Sequence, residues 1–430
     1  MSCGSGTGVS KWGVVSQSMR PFFVVLKYVG LAACLAPTLG CDRRSPPVAA
    51  PIREPKGPSV SLSVEEAERL VRLSPNDPRS QVALARAVRR IRPADSARAL
   101  RTALRLDPGS EEAYRELASL YEEKGYTDRL LELLEARLRL RPDDLDALFR
   151  SSALYSLVDA RAQAEAALVR AARVSSDDPR LMPARLIFEY QTGRFAEGIA
   201  LAQQHLARRQ NDHTVYYHLS ELQRASEKFV DAEKSIRTAI QLKPNEPSYH
   251  RQLGHILATA TDKTRMHEAE KEARRAIDLG DRGIDARYWL AVTLDNQRRD
   301  KEAIAAYQEV AKEDVRYDKT AYRLGRLYQQ NGRTEEGAKL LGLYGTMDKN
   351  RKLLGEAVER LRKHPEKPES YGRLAAIYQD ADDPGTAVLL LRYALRRFPN
   401  DTSILSRLRK ALLDAGRVTE STQISNTKKQ

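Results

Sequence analysis

The chain has 430 residues, 30% of them charged and 6% aromatic, and a formal net charge of +14. Acids and bases interleave along most of its length, which argues against one continuous nucleic-acid footprint and for solvated helix faces. All three cysteines, Cys3, Cys34 and Cys41, fall within the first 41 residues, so the remainder has neither disulfides nor cysteine metal ligands. Ala, Leu and Arg are abundant, while β-branched and aromatic residues are sparse, so an all-α fold is expected. Basic side chains are densest from Arg79 to Arg105 and from Arg392 to Lys410, where they read as solvated faces of the first and last helices.

In chain order the first feature is residues 19–41. Arg20 and Lys27 make a basic start, Tyr28 to Ala36 form a short apolar run, and Leu39 and Gly40 precede Cys41. The run is shorter than the roughly 20 apolar residues of a permanent span, so it is expected to be removed after export. Thr38, Leu39, Gly40 and Cys41 resemble the end of a bacterial lipoprotein signal peptide, and Leu31, Ala32, Ala33 and Cys34 make a second, less favoured match. The resemblance implies a signal peptide over 1–40, with Met19 as an alternative start, and attachment of acyl chains such as palmitate to Cys41. It also implies retention at the periplasmic face of the inner membrane, favoured by Asp42. Residues 41–61 follow with five prolines, Pro46, Pro47, Pro51, Pro55 and Pro58, and read as an extended tether. Such a tether reaches about 60 Å.

Beyond it a repeat governs the chain. Leu117, Ser151, Arg185, Leu219 and Leu253 lie 34 residues apart, and the series resumes at Leu290, Leu324 and Leu374. The next residue is usually small, and four residues after the column Tyr121, Tyr155, Leu257, Leu294, Tyr328 and Tyr378 recur on the same helix face. A second column, Leu130, Ala164, Gly198, Ala232, Ala269, Ala303, Gly337 and Ala387, marks the close approach of a second helix. Gly125, Gly193, Gly332 and Gly416 fall in the turn between the two helices, and Pro108, Pro142, Pro244, Pro365 and Pro399 end the units.

These columns resemble the tetratricopeptide repeat, most clearly over Tyr114 to Pro142 and Asp318 to Gly337, and the likeness covers roughly residues 62–424. The resemblance implies a TPR-like α-solenoid, a right-handed superhelix of helix pairs with a concave wall. About eight units are expected over 62–349, then an interruption at 350–366 with one extra helix near 353–363 that serves as a hinge. A unit and a partial unit over 367–424 and a polar tail at 425–430 complete the chain.

On the wall, positions two before and two after the leucine column share one face. They bring forward Phe149, Ile187, Tyr217, Arg251, His255, Tyr288, Tyr322 and Arg326, joined by Tyr190, as an aromatic and basic groove. Aromatic side chains and arginine are the commonest anchors of protein recognition, so an extended peptide or a partner helix is the expected occupant. The competing reading has the tyrosines packing only between units. The histidines show no metal-ligand spacing, although His218 and His255 lie on neighbouring first helices, and no phosphate loop or nucleophile motif stands out. The expected protein is therefore a non-catalytic, membrane-anchored interaction scaffold of the bacterial cell envelope, without metal or cofactor and with an unidentified protein or peptide partner. The alternatives are a nucleic-acid-binding helical repeat protein and an exported soluble adaptor without a lipid anchor.

Overall fold

The computed structural model describes residues 62–259, 263–381 and 383–426. The expected signal peptide, Cys34, Cys41, Asp42 and the tether lie outside the described residues, as does the end of the polar tail. A first helix, α1 (Val64–Leu73), precedes eight helix pairs. These are α2 (Pro78–Val88) with α3 (Pro93–Leu106), α4 (Glu111–Glu123) with α5 (Thr127–Leu140), and α6 (Leu145–Leu157) with α7 (Arg161–Val174). Next come α8 (Leu181–Thr192) with α9 (Phe195–Arg208), α10 (His213–Ala225) with α11 (Phe229–Leu242), and α12 (Pro247–Thr259) with α13 (Met266–Asp278). Then α14 (Ile284–Asn296) pairs with α15 (Asp300–Asp314), and α16 (Thr320–Gln330) pairs with α17 (Thr334–Lys363). Two hairpins end the chain, α18 (Pro368–Asp380) with α19 (Pro384–Arg397) and α20 (Thr402–Asp414) with α21 (Val418–Asn426).

Each pair is built by local chemistry. Asp77, Ser110, Asp144, Asp212 and Asp401 cap the first helices by accepting hydrogen bonds from backbone N–H groups of the first turn. Seven of the turns between paired helices place one residue in the left-handed region, and there the Tyr126, Ala160, Arg194, Lys228, Arg299, Arg333 and Arg417 amides each reach back to the carbonyl five residues earlier. Glycine holds that position at 125, 193, 332 and 416, but Asp159, Glu227 and Arg298 hold it with φ of 55°, 61° and 63°. Glu227 is exposed and has no side-chain partner, so Glu227→Gly is expected to raise unfolding stability by about 1 kcal/mol, read by chemical denaturation. Between helices the small column works as spaced: a Cβ at Gly337 would stand 2.7 Å from the Gly325 carbonyl oxygen.

First helices of neighbouring units touch one another directly, α8 on α10 and α12 on α14, so the array curves toward them and they form its inner wall. The helix expected to stand alone at 350–366 is instead the second half of α17, which runs unbroken for 30 residues. No proline interrupts it, and Gly342 and Gly345 sit in helical backbone. At 1.5 Å per residue α17 is about 45 Å long. The 50-residue spacing from Leu324 to Leu374 is one 34-residue unit plus a 16-residue second helix that has no first helix of its own. The orphan stretch Leu354, Ala357, Val358 and Leu361 is buried in the same core as Leu154, Val158 and Ala160 of the early units.

That core shows what the 34-residue period does not: the last hairpins return to the beginning of the array. One continuous cluster joins Leu130, Leu131 and Leu134 of α5 to Val388, Leu389, Leu390 and Leu391 of α19. The two helices meet where Thr127 Oγ1 donates to the Gly385 carbonyl at 3.3 Å and where a Cβ on Gly385 would stand 2.9 Å from the Gly125 oxygen. Over the seam lies an ion network. Arg417 holds Asp128 with both arms, Nη1 to Oδ1 at 2.6 Å and Nη2 to Oδ2 at 2.8 Å, and Arg392 Nε lies 2.7 Å from the same carboxylate. Asp128 is 2% exposed. Glu420 accepts from Arg417, Arg392 and Arg129, Arg396 reaches Glu135 at 2.6 Å, and Arg362 of α17 reaches Asp159 at 3.0 Å.

Burial raises the Glu420 carboxyl, but the hydrogen bonds and charges of Arg417 and Arg129 outweigh it and hold the group at about 2. Its contribution is complete above the ordinary value of 4.5 and is lost as pH falls toward about 2. The seam is therefore expected to open in that acid window and to stay closed at neutral pH, which small-angle scattering followed beside circular dichroism will show.

Candidate functional site

The inner wall from α6 to α16 is where the groove residues fall, and the structure divides them. Phe149 and Tyr288 do not line a groove. Phe149 is buried with Leu148, Leu168 and Phe188, under the Arg180 guanidinium 5.0 Å from its ring centre. Tyr288 is 1% exposed, enclosed edge-on by Trp289, Tyr307 and Tyr317. Burial drives its hydroxyl well above the ordinary tyrosine value, so it stays neutral.

The other positions keep part of their surface open. Ile187, Tyr190, Tyr217, Arg251, His255 and Arg326 are half-buried, and Tyr322 is 41% exposed, its ring 5.1 Å from that of Tyr344. Tyr190 accepts a hydrogen bond from Arg224 of the next first helix at 3.3 Å and packs against Phe195. Tyr217 stacks on Tyr249 with ring centres 5.3 Å apart and donates to Glu221 at 3.2 Å. His255 lies flat on Trp289 at 3.6 Å. His218 makes its own contact with Glu221 at 2.9 Å. Among the described residues no group of three or more His, Cys, Asp or Glu side chains gathers to hold a metal ion.

The expected basic character is corrected. Arg251 lies 3.0 Å from Asp281 and donates to Asp285 at 2.7 Å, and Arg323 donates to Asp295 at 3.0 Å, with Arg326 on the same carboxylate. These acids were missed because Asp281 lies in the loop before α14, and Asp285 and Asp295 at the ends of that helix, rather than in the leucine-flanking columns. The signal was nonetheless in the numbering, since Arg251 and Asp285, like Tyr190 and Arg224, are 34 residues apart. Such pairs stitch each first helix to the next. Burial raises Tyr217, reinforced by Glu221, and raises Tyr190 against the pull of Arg224. Burial also raises Asp285 despite Arg251, whereas at Glu221 the His218 contact and neighbouring cations outweigh burial and lower the group. The wall is thus aromatic, hydrogen-bonding and nearly charge-balanced.

A tetratricopeptide repeat family profile matches residues 259–315. The fold is a tetratricopeptide-type α-solenoid. No curated protein matches the chain. Among solved structures, a tetratricopeptide repeat protein from Parabacteroides merdae is similar at 19% identity over 54% of this chain and 91% of its own, with a TM-score of 0.44. A human IFIT1 dimer with PPP-AAAA is similar at 17% identity over 79% of this chain and 86% of that one, with a TM-score of 0.45. PilF of Pseudomonas aeruginosa is similar at 15% identity over 47% of this chain and 91% of that one, with a TM-score of 0.37.

Proposed function

We propose that the protein is a non-catalytic scaffold, held at a bacterial membrane through lipid on Cys41, that captures an extended peptide or a partner helix on its inner wall. Repeats of this type serve protein interaction, and one observation carries the particular reading. Tyr190, Tyr217, His255 and Tyr322 keep part of their aromatic surface open on the wall, whereas Phe149, Phe188, Tyr249, Tyr288 and Trp289 are buried. Open aromatic edges bordered by neutral tyrosine hydroxyls suit a mixed apolar and polar partner. The pairing of Arg251 and Arg326 with carboxylates weakens the nucleic-acid alternative, because phosphate binding relies on cations free to replace counterions.

The test is crosslinked affinity capture from intact cell envelopes with wild type and with Ile187→Glu combined with Tyr322→Glu, two substitutions at partly open positions. The partner recovered by wild type is expected to be lost from the variant at unchanged helical content; equal recovery would sink the wall as the binding site. Fatty-acid labelling of wild type and of the Cys41→Ser protein separates the anchor from the wall: labelling is expected to vanish in the variant, persistent labelling would move the lipid to another residue such as Cys34, and an unlabelled wild type would leave the exported adaptor without lipid.

A further inference from the structure

At the C-terminal end of the inner wall, beyond the aromatic stretch, the end of α17, α18 and α20 border an open cleft of 840 Å³. Its cations come from three separate segments; Lys363 pairs with Glu359 at 3.4 Å, whereas among the described residues Arg360, Lys367, Arg373 and Arg407 meet no carboxylate at ion-pair distance. That contrasts with the aromatic stretch of the wall and with the seam, where arginines meet carboxylates. Arg407 is placed by a missing side chain: its Nη1 donates to the Gly372 carbonyl at 3.4 Å, and a Cβ on Gly372 would stand 2.9 Å from its Cδ and Nε. Gly372 occupies the column that carries Tyr217, Arg251, Tyr288 and Tyr322 in earlier units, so the gap that admits Arg407 is particular to this one. The first turns of α18 and α20 open on the same cleft through Ser370 and Ser403, adding their partial positive charge. Glu356 and Glu369 on the rim repel a uniform polyphosphate but accept lysines interspersed among acidic residues.

We propose that this cleft is a second docking site, for an acidic peptide segment of a protein partner. The probe is a fluorescent peptide of glutamates with interspersed lysines and net negative charge, titrated against the full chain by polarisation at low and moderate salt. Arg373→Glu combined with Arg407→Glu is expected to weaken binding about tenfold or more. Gly372→Ala, which displaces Arg407 without changing net charge, is expected to weaken it as well. Arg139→Glu with Arg173→Glu, an equal charge change on exposed α5 and α7 positions, is expected to leave affinity within about twofold. Undiminished binding by the cleft variants, equal loss in the remote pair, or binding of phosphatidylglycerol vesicles in preference to the peptide would overturn the proposal.

Discussion

Asp128→Ala is expected to open the ring while leaving its helices formed. The substitution strips Arg417, 6% exposed, of its two-armed partner and leaves Arg392 with only one of its two carboxylates at 2.7 Å. Removing one member of a buried pair costs about 3–5 kcal/mol, because the surviving charge stays desolvated. Glu420 retains part of the network, so the loss should appear as detachment of α18–α21 from α5 rather than as unfolding. Small-angle scattering should show a larger radius at unchanged circular dichroism, with faster protease cleavage after Lys363. A paired Asp128→Leu and Arg417→Met change removes both charges and should keep the ring closed, since apolar replacement of a whole buried pair is often neutral. Identical scattering from wild type and Asp128→Ala would show that the network does not hold the seam.

Tyr288→Ala is the second large effect, and Tyr322→Ala is its control. The two residues share one repeat column, 34 residues apart, yet the first is enclosed by three aromatic rings and the second stands largely open. Truncating a fully buried aromatic costs about 3–5 kcal/mol from lost transfer energy and the cavity left behind. Tyr322→Ala should change stability by less than about 1 kcal/mol and act on partner capture alone. Denaturation followed by circular dichroism measures both variants. Equal stability would mean that Tyr288 is not the centre of that aromatic cluster.

How far this architecture could be read from the chain depends on distance along it. Leu117, Leu219, Leu253, Leu324 and Leu374 are buried as their column requires, and the turn position at Gly125, Gly193, Gly332 and Gly416 has the positive φ expected of it. Those features are local, set by one helix pair and its neighbour. The seam is not: Asp128 and Arg417 are 289 residues apart, and nothing in their repeat phase distinguishes a buried pair from two solvated charges. Tyr288 failed as a groove residue because Tyr317, from the segment between α15 and α16, covers it, and a loop residue lies outside every column. The extra helix near 353–363 was legible from the repeat spacing, which lengthens to 50 residues between Leu324 and Leu374. Its fusion to the preceding helix was not, because no repeat column spans the junction, where Gly342 and Gly345 lie in helical backbone. The wall's charge balance was obscured for a related reason, because reading columns one at a time found Arg251 and passed over Asp285 in the next unit.

Closure of the solenoid is tested most directly by a distance across the seam. Spin labels at Arg139 and Arg397, exposed positions near the ends of α5 and α19, suit the measurement, because residues beyond Cys41 contain no native cysteine. With the helices packed, their axes lie about 10 Å apart, and pulsed dipolar spectroscopy should return one short, narrow distance that Asp128→Ala lengthens and broadens. A long, broad distribution in the wild-type protein, unchanged by Asp128→Ala, would contradict a closed ring.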